Sequence, residues 1–299
     1  GDEVLVSIME HHSDLLPWQM VCRQTGAQLR FLECAPDGSL DLNRVEQCIT
    51  GRTRLVAITQ VSNVLGRRYP VKEIAALAHR RGAVVVVDGA QSTPHLPVDV
   101  QDLDADFFAL SGHKLYGPMG IGVLYGKEAL LEEMPPFLSG GEMIESVSRT
   151  GAVYAELPHK FEAGTVNASG AAGLRAAIDY IESIGLDKIH QRELQLSADA
   201  FERMRAIPHL HLLGSDQAEE HNGILTFVID GVHPHDVGEI LAADGVCVRA
   251  GHHCAQPLLQ HLGHTSTVRA SYSFYNTPAD TDRLIESLSA VRERMGYGK

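Results

Sequence analysis

The sequence predicts an α/β protein: a large domain on a mostly parallel sheet, followed by a smaller α+β domain. Three observations carry this. Short apolar runs alternate with helix-period segments from the first residues onward. The run Ala83-Val84-Val85-Val86-Val87 is continuously apolar, as a strand covered by helices on both faces must be. From Ala168 the pattern turns to long helices with a few strands between them.

Taken in order, Val4-Leu5-Val6-Ser7-Ile8-Met9 follows Gly-Asp-Glu and reads as a buried strand entered from a turn. A helix is expected around Leu15–Gln24, a strand over Gln28–Leu32, and a helix opening at Asp41 and running through Val45 to Ile49. Strand Arg54–Thr59, helix Val71–Arg81 and the valine strand ending at Asp88 continue the alternation. Asp88 then stands at a strand's carboxyl end, where open α/β sheets bind ligands. Short strands are expected at Phe107–Leu110 and Gly122–Tyr125. The stretch Pro135–Glu162 is Gly-rich and poorly periodic, and reads as a long functional loop. Helix is expected from Ala168 to about Met204, strands near Gly223–Ile229 and Val246–Arg249, and a closing helix over Pro278–Arg294. No repeat or Pro/Ser-rich linker marks a boundary, and the division is drawn at 1–180 and 181–299.

The chain of 299 residues is 44% hydrophobic and 21% charged, the composition of a globular protein. A formal charge of −13 argues against nucleic-acid binding, which needs clustered Lys and Arg. No stretch approaches the length of a membrane span, and Gly1 does not open a signal peptide with a basic start, so a cytoplasmic protein is expected. The five cysteines are widely spaced without a Cys-x-x-Cys pair, which suggests neither a disulfide framework nor a zinc knuckle. A free reactive thiol fits better.

Ser111-Gly112-His113-Lys114 follows a predicted strand, and a lysine fixed there is suited to Schiff-base chemistry, because burial lowers its pKa. Alone, such a His-Lys pair is an ordinary solvated loop lysine. Asp88 changes the reading: it ends the valine strand, leads into Gly89-Ala90-Gln91, and lies 26 residues before Lys114. Pyridoxal enzymes need a carboxylate against the pyridine nitrogen, since a protonated ring is the electron sink. Together these two segments resemble the cofactor core of class V aminotransferase-like enzymes of the aspartate aminotransferase fold, also called fold type I.

The third segment is Arg249-Ala250-Gly251-His252-His253-Cys254-Ala255-Gln256-Pro257. A loop thiol among histidines and arginine can be held as thiolate, the form that attacks sulfur. A buried structural cysteine is the ordinary alternative, and a zinc site is disfavoured because three adjacent residues wrap one tetrahedral ion poorly. With Met9-Glu10-His11-His12 and Phe161-Glu162-Ala163-Gly164-Thr165, this segment resembles the Suf-type, group II cysteine desulfurases over essentially the whole chain.

The resemblance implies pyridoxal 5'-phosphate bound by Lys114, with Asp88 on the pyridine nitrogen and His11 stacked on the ring and available as a proton shuttle. It gives Asn63 and Gln91 to the phenolic oxygen, Ser111 and His113 to the phosphate, and Thr165 to the phosphate of a neighbouring subunit, hence a homodimer. It gives Arg269 to the substrate carboxylate, a task suited to a guanidinium, with Arg249 lining the same pocket, and leaves His12, His252 and His253 without a role. The implied activity is conversion of L-cysteine to L-alanine with a persulfide on Cys254, for iron-sulfur cluster assembly, with selenocysteine a second substrate and a Suf-type protein as sulfur acceptor. Two features depart from the family. Its members carry a further N-terminal stretch with a Thr-Thr-Glu phosphate loop, and a small or hydroxyl residue is usual where Arg67 stands. Two rivals remain: a transaminase or lyase that ignores Cys254, and an inactive fragment.

Overall fold

The computed structural model describes residues 1–297. Its first half alternates strand and helix: β1 Glu3–Ser7, α1 His12–Thr25, β2 Gln28–Leu32, α2 Leu42–Cys48, β3 Thr53–Thr59, α3 Val71–His79, β4 Val84–Asp88, β5 Phe107–Ser111 and β6 Gly122–Gly126. These strands form one sheet in the order β2-β1-β3-β4-β5-β6, parallel throughout except for β6, which runs antiparallel to β5. The two-residue period of a strand sorts its side chains between the faces. Leu5, Val56, Ile58, Val85 and Val87 pack with Val45 of α2 and Ile74 of α3, while Val4, Val6 and Ala57 meet Leu15 and Cys22 of α1 on the other face. This double cover explains the apolar valine strand.

The chain continues through α4 Glu128–Glu133, the hairpin β7 Ile144–Val147 and β8 Ala152–Tyr154, α5 Ala168–Ile184, α6 Leu186–Arg205, β9 Leu210–Leu212, β10 Ile224–Ile229, α7 Pro234–Ala243, β11 Arg249–Gly251, α8 Gln256–His261, β12 Thr267–Ser271 and α9 Pro278–Arg294. The later strands form an antiparallel sheet, β11-β12-β10-β9, that packs Phe227, Val268 and Leu225 against Phe201 of α6, Leu241 of α7 and Leu288 of α9. α9 opens with a reciprocal cap between Thr277 and Asp280 and with Pro278 in its first turn, which fixes its start.

Four details differ from expectation. The stretch after Pro135 is not wholly irregular, because it folds the β7–β8 hairpin. A short helix, α4, precedes it. The expected continuous helix from Ala168 is two, broken at Gly185, whose φ of 93° is outside the helical range. The strand expected at Val246–Arg249 begins only at Arg249, where the ladder with β12 starts.

The two halves are tied together next to the site. Leu258 and Leu259 of α8 are buried in the core of the large sheet, and each contributes roughly 1.5–3 kcal/mol. Asn222 donates to the Gly66 carbonyl at 2.7 Å, and Arg67 pairs with Glu220 at 2.8 Å. Gly66 has φ +67° and approaches so closely that a Cβ there would lie 1.7 Å from the His221 carbonyl oxygen. Among the described residues, no helix is long and apolar enough to cross a membrane.

Candidate active site

β4 and β5 are parallel neighbours in register at Asp88 and Ala109, so their carboxyl ends open side by side. Gly89 lets the chain turn away there, since a Cβ would sit 1.9 Å from the Phe108 ring. Asp88 accepts the Ala90 N–H at 2.8 Å. β5 runs on into a 3-10 turn, Gly112–Lys114, that carries the lysine. Between them lies a cavity of about 300 Å3 lined by His11, Asp14, Asp88, Ser111, His113 and Lys114 over an apolar floor. Burial pushes the Lys114 amine below its usual range, with Arg269 adding to the shift; the charges of Asp88 and Cys254 oppose it. That direction is what a nucleophilic amine requires.

His11 stands at the N-cap of α1, where its Nδ1 accepts the Ser13 N–H at 3.1 Å. Burial and the Lys114 charge hold the imidazole below its usual pKa. The neighbouring His12 holds the cysteine loop twice: its backbone N–H donates to the Cys254 carbonyl at 2.7 Å, and its Nε2 accepts the Gln256 N–H at 3.1 Å. His253 and Cys254 both take φ +54°, a left-handed conformation unusual for these residues. Further bonds fix it. Asn63 Nδ2 donates to the His253 carbonyl at 2.7 Å, and His253 Nε2 pairs with Thr267 Oγ1 at 2.8 Å. Burial, reinforced by Arg269 and Arg249, drops the His253 pKa to about 4, so the ring is neutral.

Arg269 donates to the Asn63 carbonyl at 2.7 Å, and its Nε is buried without a partner. Arg249 stands directly opposite on β11 and is exposed. Cys254 is half-buried, near enough that its charge bears on both Lys114 and Arg269. The structure thus brings His11, Asp88, Ser111, His113 and Lys114 to one cavity, with the charges of Arg269 and Cys254 acting on Lys114 and with Asn63 bonded to both Arg269 and the cysteine loop. Gln91 lies on the turn beyond Asp88, half-buried and outside the cavity lining. Thr165 is exposed and lines a separate hollow with Glu142, His159 and Asn167.

The donor set fits pyridoxal phosphate: an amine for its aldehyde, a carboxylate for its ring nitrogen, and a hydroxyl with an imidazole for its phosphate, around a space of suitable size. The aminotransferase class-V family profile matches residues 1–284. The chain belongs to the class-V aminotransferase family.

Within it, the class-V chain is 51% identical over 297 residues to a probable cysteine desulfurase of Halalkalibacterium halodurans, covering 99% of this chain and 72% of that protein. It is 48% identical to one of Streptomyces coelicolor, covering 98% and 70%. Among solved structures, the cysteine desulfurase CsdA of Escherichia coli, in its S-sulfonic acid form, superposes with a TM-score of 0.94 at 42% identity, over 98% of this chain and 73% of that one. A cystine C-S lyase, C-DES, in complex with its reaction product cysteine persulfide, superposes with a TM-score of 0.85 at 26% identity, over 97% of this chain and 75% of that one.

Residue reasoning missed His12, now the clasp of the cysteine loop, and the carboxyls Glu10 and Asp14 beside the cavity. The available signal was spacing: two acidic residues four apart flanking His11 at a strand-to-helix junction.

Proposed function

We propose that the protein is a pyridoxal-phosphate-dependent cysteine desulfurase, converting L-cysteine to L-alanine and leaving its sulfur as a persulfide on Cys254. The observation that carries this is the convergence of Lys114, Asp88 and Cys254 about one cavity in a chain about half identical to cysteine desulfurases. Lys114, Asp88, His11, Ser111 and His113, with Gln91 and Asn63, would hold the cofactor. When bound, that group supplies an electron sink for the charge left by loss of the substrate's Cα proton.

The residues do the rest. Arg269, with a free buried N–H, takes the substrate carboxylate, and Arg249 adds positive charge behind it. Lys114, its amine favoured neutral by burial, moves the Cα proton. The Cys254 thiolate attacks the substrate sulfur: an S–S bond forms, the C–S bond breaks, and its electrons and a proton end on the alanine methyl. His11, which lines the cavity, is the proton carrier. Selenocysteine can follow the same course.

L-cysteine turnover by the cofactor-loaded protein tests the reading. Cys254→Ala should lose sulfide release by on the order of 10³-fold or more while keeping the cofactor, and Lys114→Ala should abolish the cofactor's visible absorption band and activity together. Undiminished sulfide release from Cys254→Ala would make the protein a lyase instead, and a purified chain without the cofactor's band would make it an inactive scaffold.

The finer reading extends to assembly. The protein is a homodimer in which Thr165 serves the partner's phosphate site, and its two domains divide near residue 180. It works in the cytoplasm, passing sulfur to a Suf-type acceptor for iron-sulfur clusters. Exposure of Thr165 away from its own cavity supports the first of these.

A further inference from the structure

Beside the cavity sit two carboxyls to which the reaction above gives no task. Glu10 closes the turn after β1 and is 1% exposed. Asp14 lies in the first turn of α1 and lines the cavity together with Asp88 and Lys114. One oxygen of each is satisfied. Glu10 Oε1 accepts the Thr59 backbone N–H at 2.8 Å and the Ser7 hydroxyl, and Asp14 Oδ1 accepts the Trp18 indole N–H at 3.0 Å. The other oxygens, Glu10 Oε2 and Asp14 Oδ2, are shielded from solvent and have no partner.

A buried acceptor without a donor costs about 1–3 kcal/mol, and more when it bears charge. Here there are two, on carboxyls that interact with one another. Like-charged carboxylates in one buried site cannot both stay ionised, so one retains a proton. A single proton between them supplies the donor that both orphan oxygens lack.

We infer that Glu10 and Asp14 share one proton at neutral pH, a positioning pair that sets one negative charge rather than two beside Asp88. Around the pair stand Asp88 from β4, Ser7 from β1, Thr59 from β3, Trp18 from α1 and the Tyr69 hydroxyl. Burial, then Asp14, drives Glu10 well above the carboxylate range, and burial raises Asp14 to about 6. Asp88 raises both, so the shared proton removes one of the two negative charges that would otherwise face Asp88. Fewer negative charges around Asp88 suit the carboxylate that would meet a protonated ring nitrogen. This consequence rests on the cofactor reading above, whereas the proton itself does not, so either can fail alone.

Infrared difference spectroscopy on the cofactor-loaded protein at pH 7, in H2O and D2O, tests the inference without turnover. Exposed Asp and Glu are ionised at that pH, so a protonated-carboxyl C=O band marks a buried acid. The band is expected in the wild type and lost in both Asp14→Asn and Glu10→Gln, each of which replaces the shared proton with an amide donor. A wild type without the band overturns the inference. So does a band that survives in either variant, since the proton then belongs to one carboxyl or lies elsewhere. Where one variant fails to fold, loss or survival of the band in the other still decides.

Discussion

Single side chains set the terms on which the site works. Arg269 offers a fork that matches a carboxylate, and its bond to the Asn63 carbonyl holds it in place. Arg269→Lys should raise KM for L-cysteine about tenfold or more with a smaller change in kcat, because a point charge on a flexible stem binds one carboxylate oxygen at a time. Steady-state kinetics over a range of L-cysteine separate the two constants. His253 makes the second prediction. Its pKa falls from 6.5 to about 4 on folding, so between these values the unfolded chain binds more protons than the folded one. Stability must therefore drop as pH falls from 6.5 toward 4 and be insensitive to this group above 6.5. Urea unfolding of wild type and His253→Gln at several pH values should show the variant losing less stability across that window.

At the scale of elements, the turn after Asn63 joins the halves of the molecule. Gly66→Ala forces a Cβ onto the His221 carbonyl in a left-handed backbone, and should destabilise by roughly 1–3 kcal/mol or more by chemical denaturation. Gly26→Ala, at φ +74° with nothing within 4 Å, should cost about 1 kcal/mol, the conformational penalty alone. Elements whose signal is local were legible in the residues: β2 over Gln28–Leu32 and α9 over Pro278–Arg294 match expectation at both ends. Those decided by a partner were not. Val246-Cys247-Val248 has strand composition, yet β12 offers its ladder only from Arg249 onward. The β7–β8 hairpin shows a mostly exposed surface with no apolar alternation to betray it. The same divide holds at the site. Asp88, Lys114 and Cys254 stood in motifs, whereas the burial of Glu10 goes with its bonds to Thr59 of β3 and Ser7 of β1, which no residue type announces.

For the whole molecule, the edge strand β6 and the loops that precede and follow it in the chain leave apolar side chains in water: Leu124 is 58% exposed, Met119 87% and Phe137 93%. The proposed dimer would cover such side chains. Phe137→Asp with Leu124→Asp should shift the protein toward monomer in light scattering, and should depress activity if Thr165 serves the neighbouring subunit. Equal mass for variant and wild type would remove this face from the assembly. In the proposed reaction, the cysteine loop bears on what happens after Cys254 has taken the sulfur. Bonds from His12 and Asn63 hold the carbonyls of Cys254 and His253, and α8 is rooted in the core just beyond them. A terminal sulfur on so short a leash cannot be delivered; it has to be collected. The second half of the cycle is then bimolecular, its velocity proportional to the concentration of whatever thiol arrives until the first half becomes limiting. Under scarce acceptor most molecules wait loaded, and the protein acts as a store of sulfur as much as a producer of it.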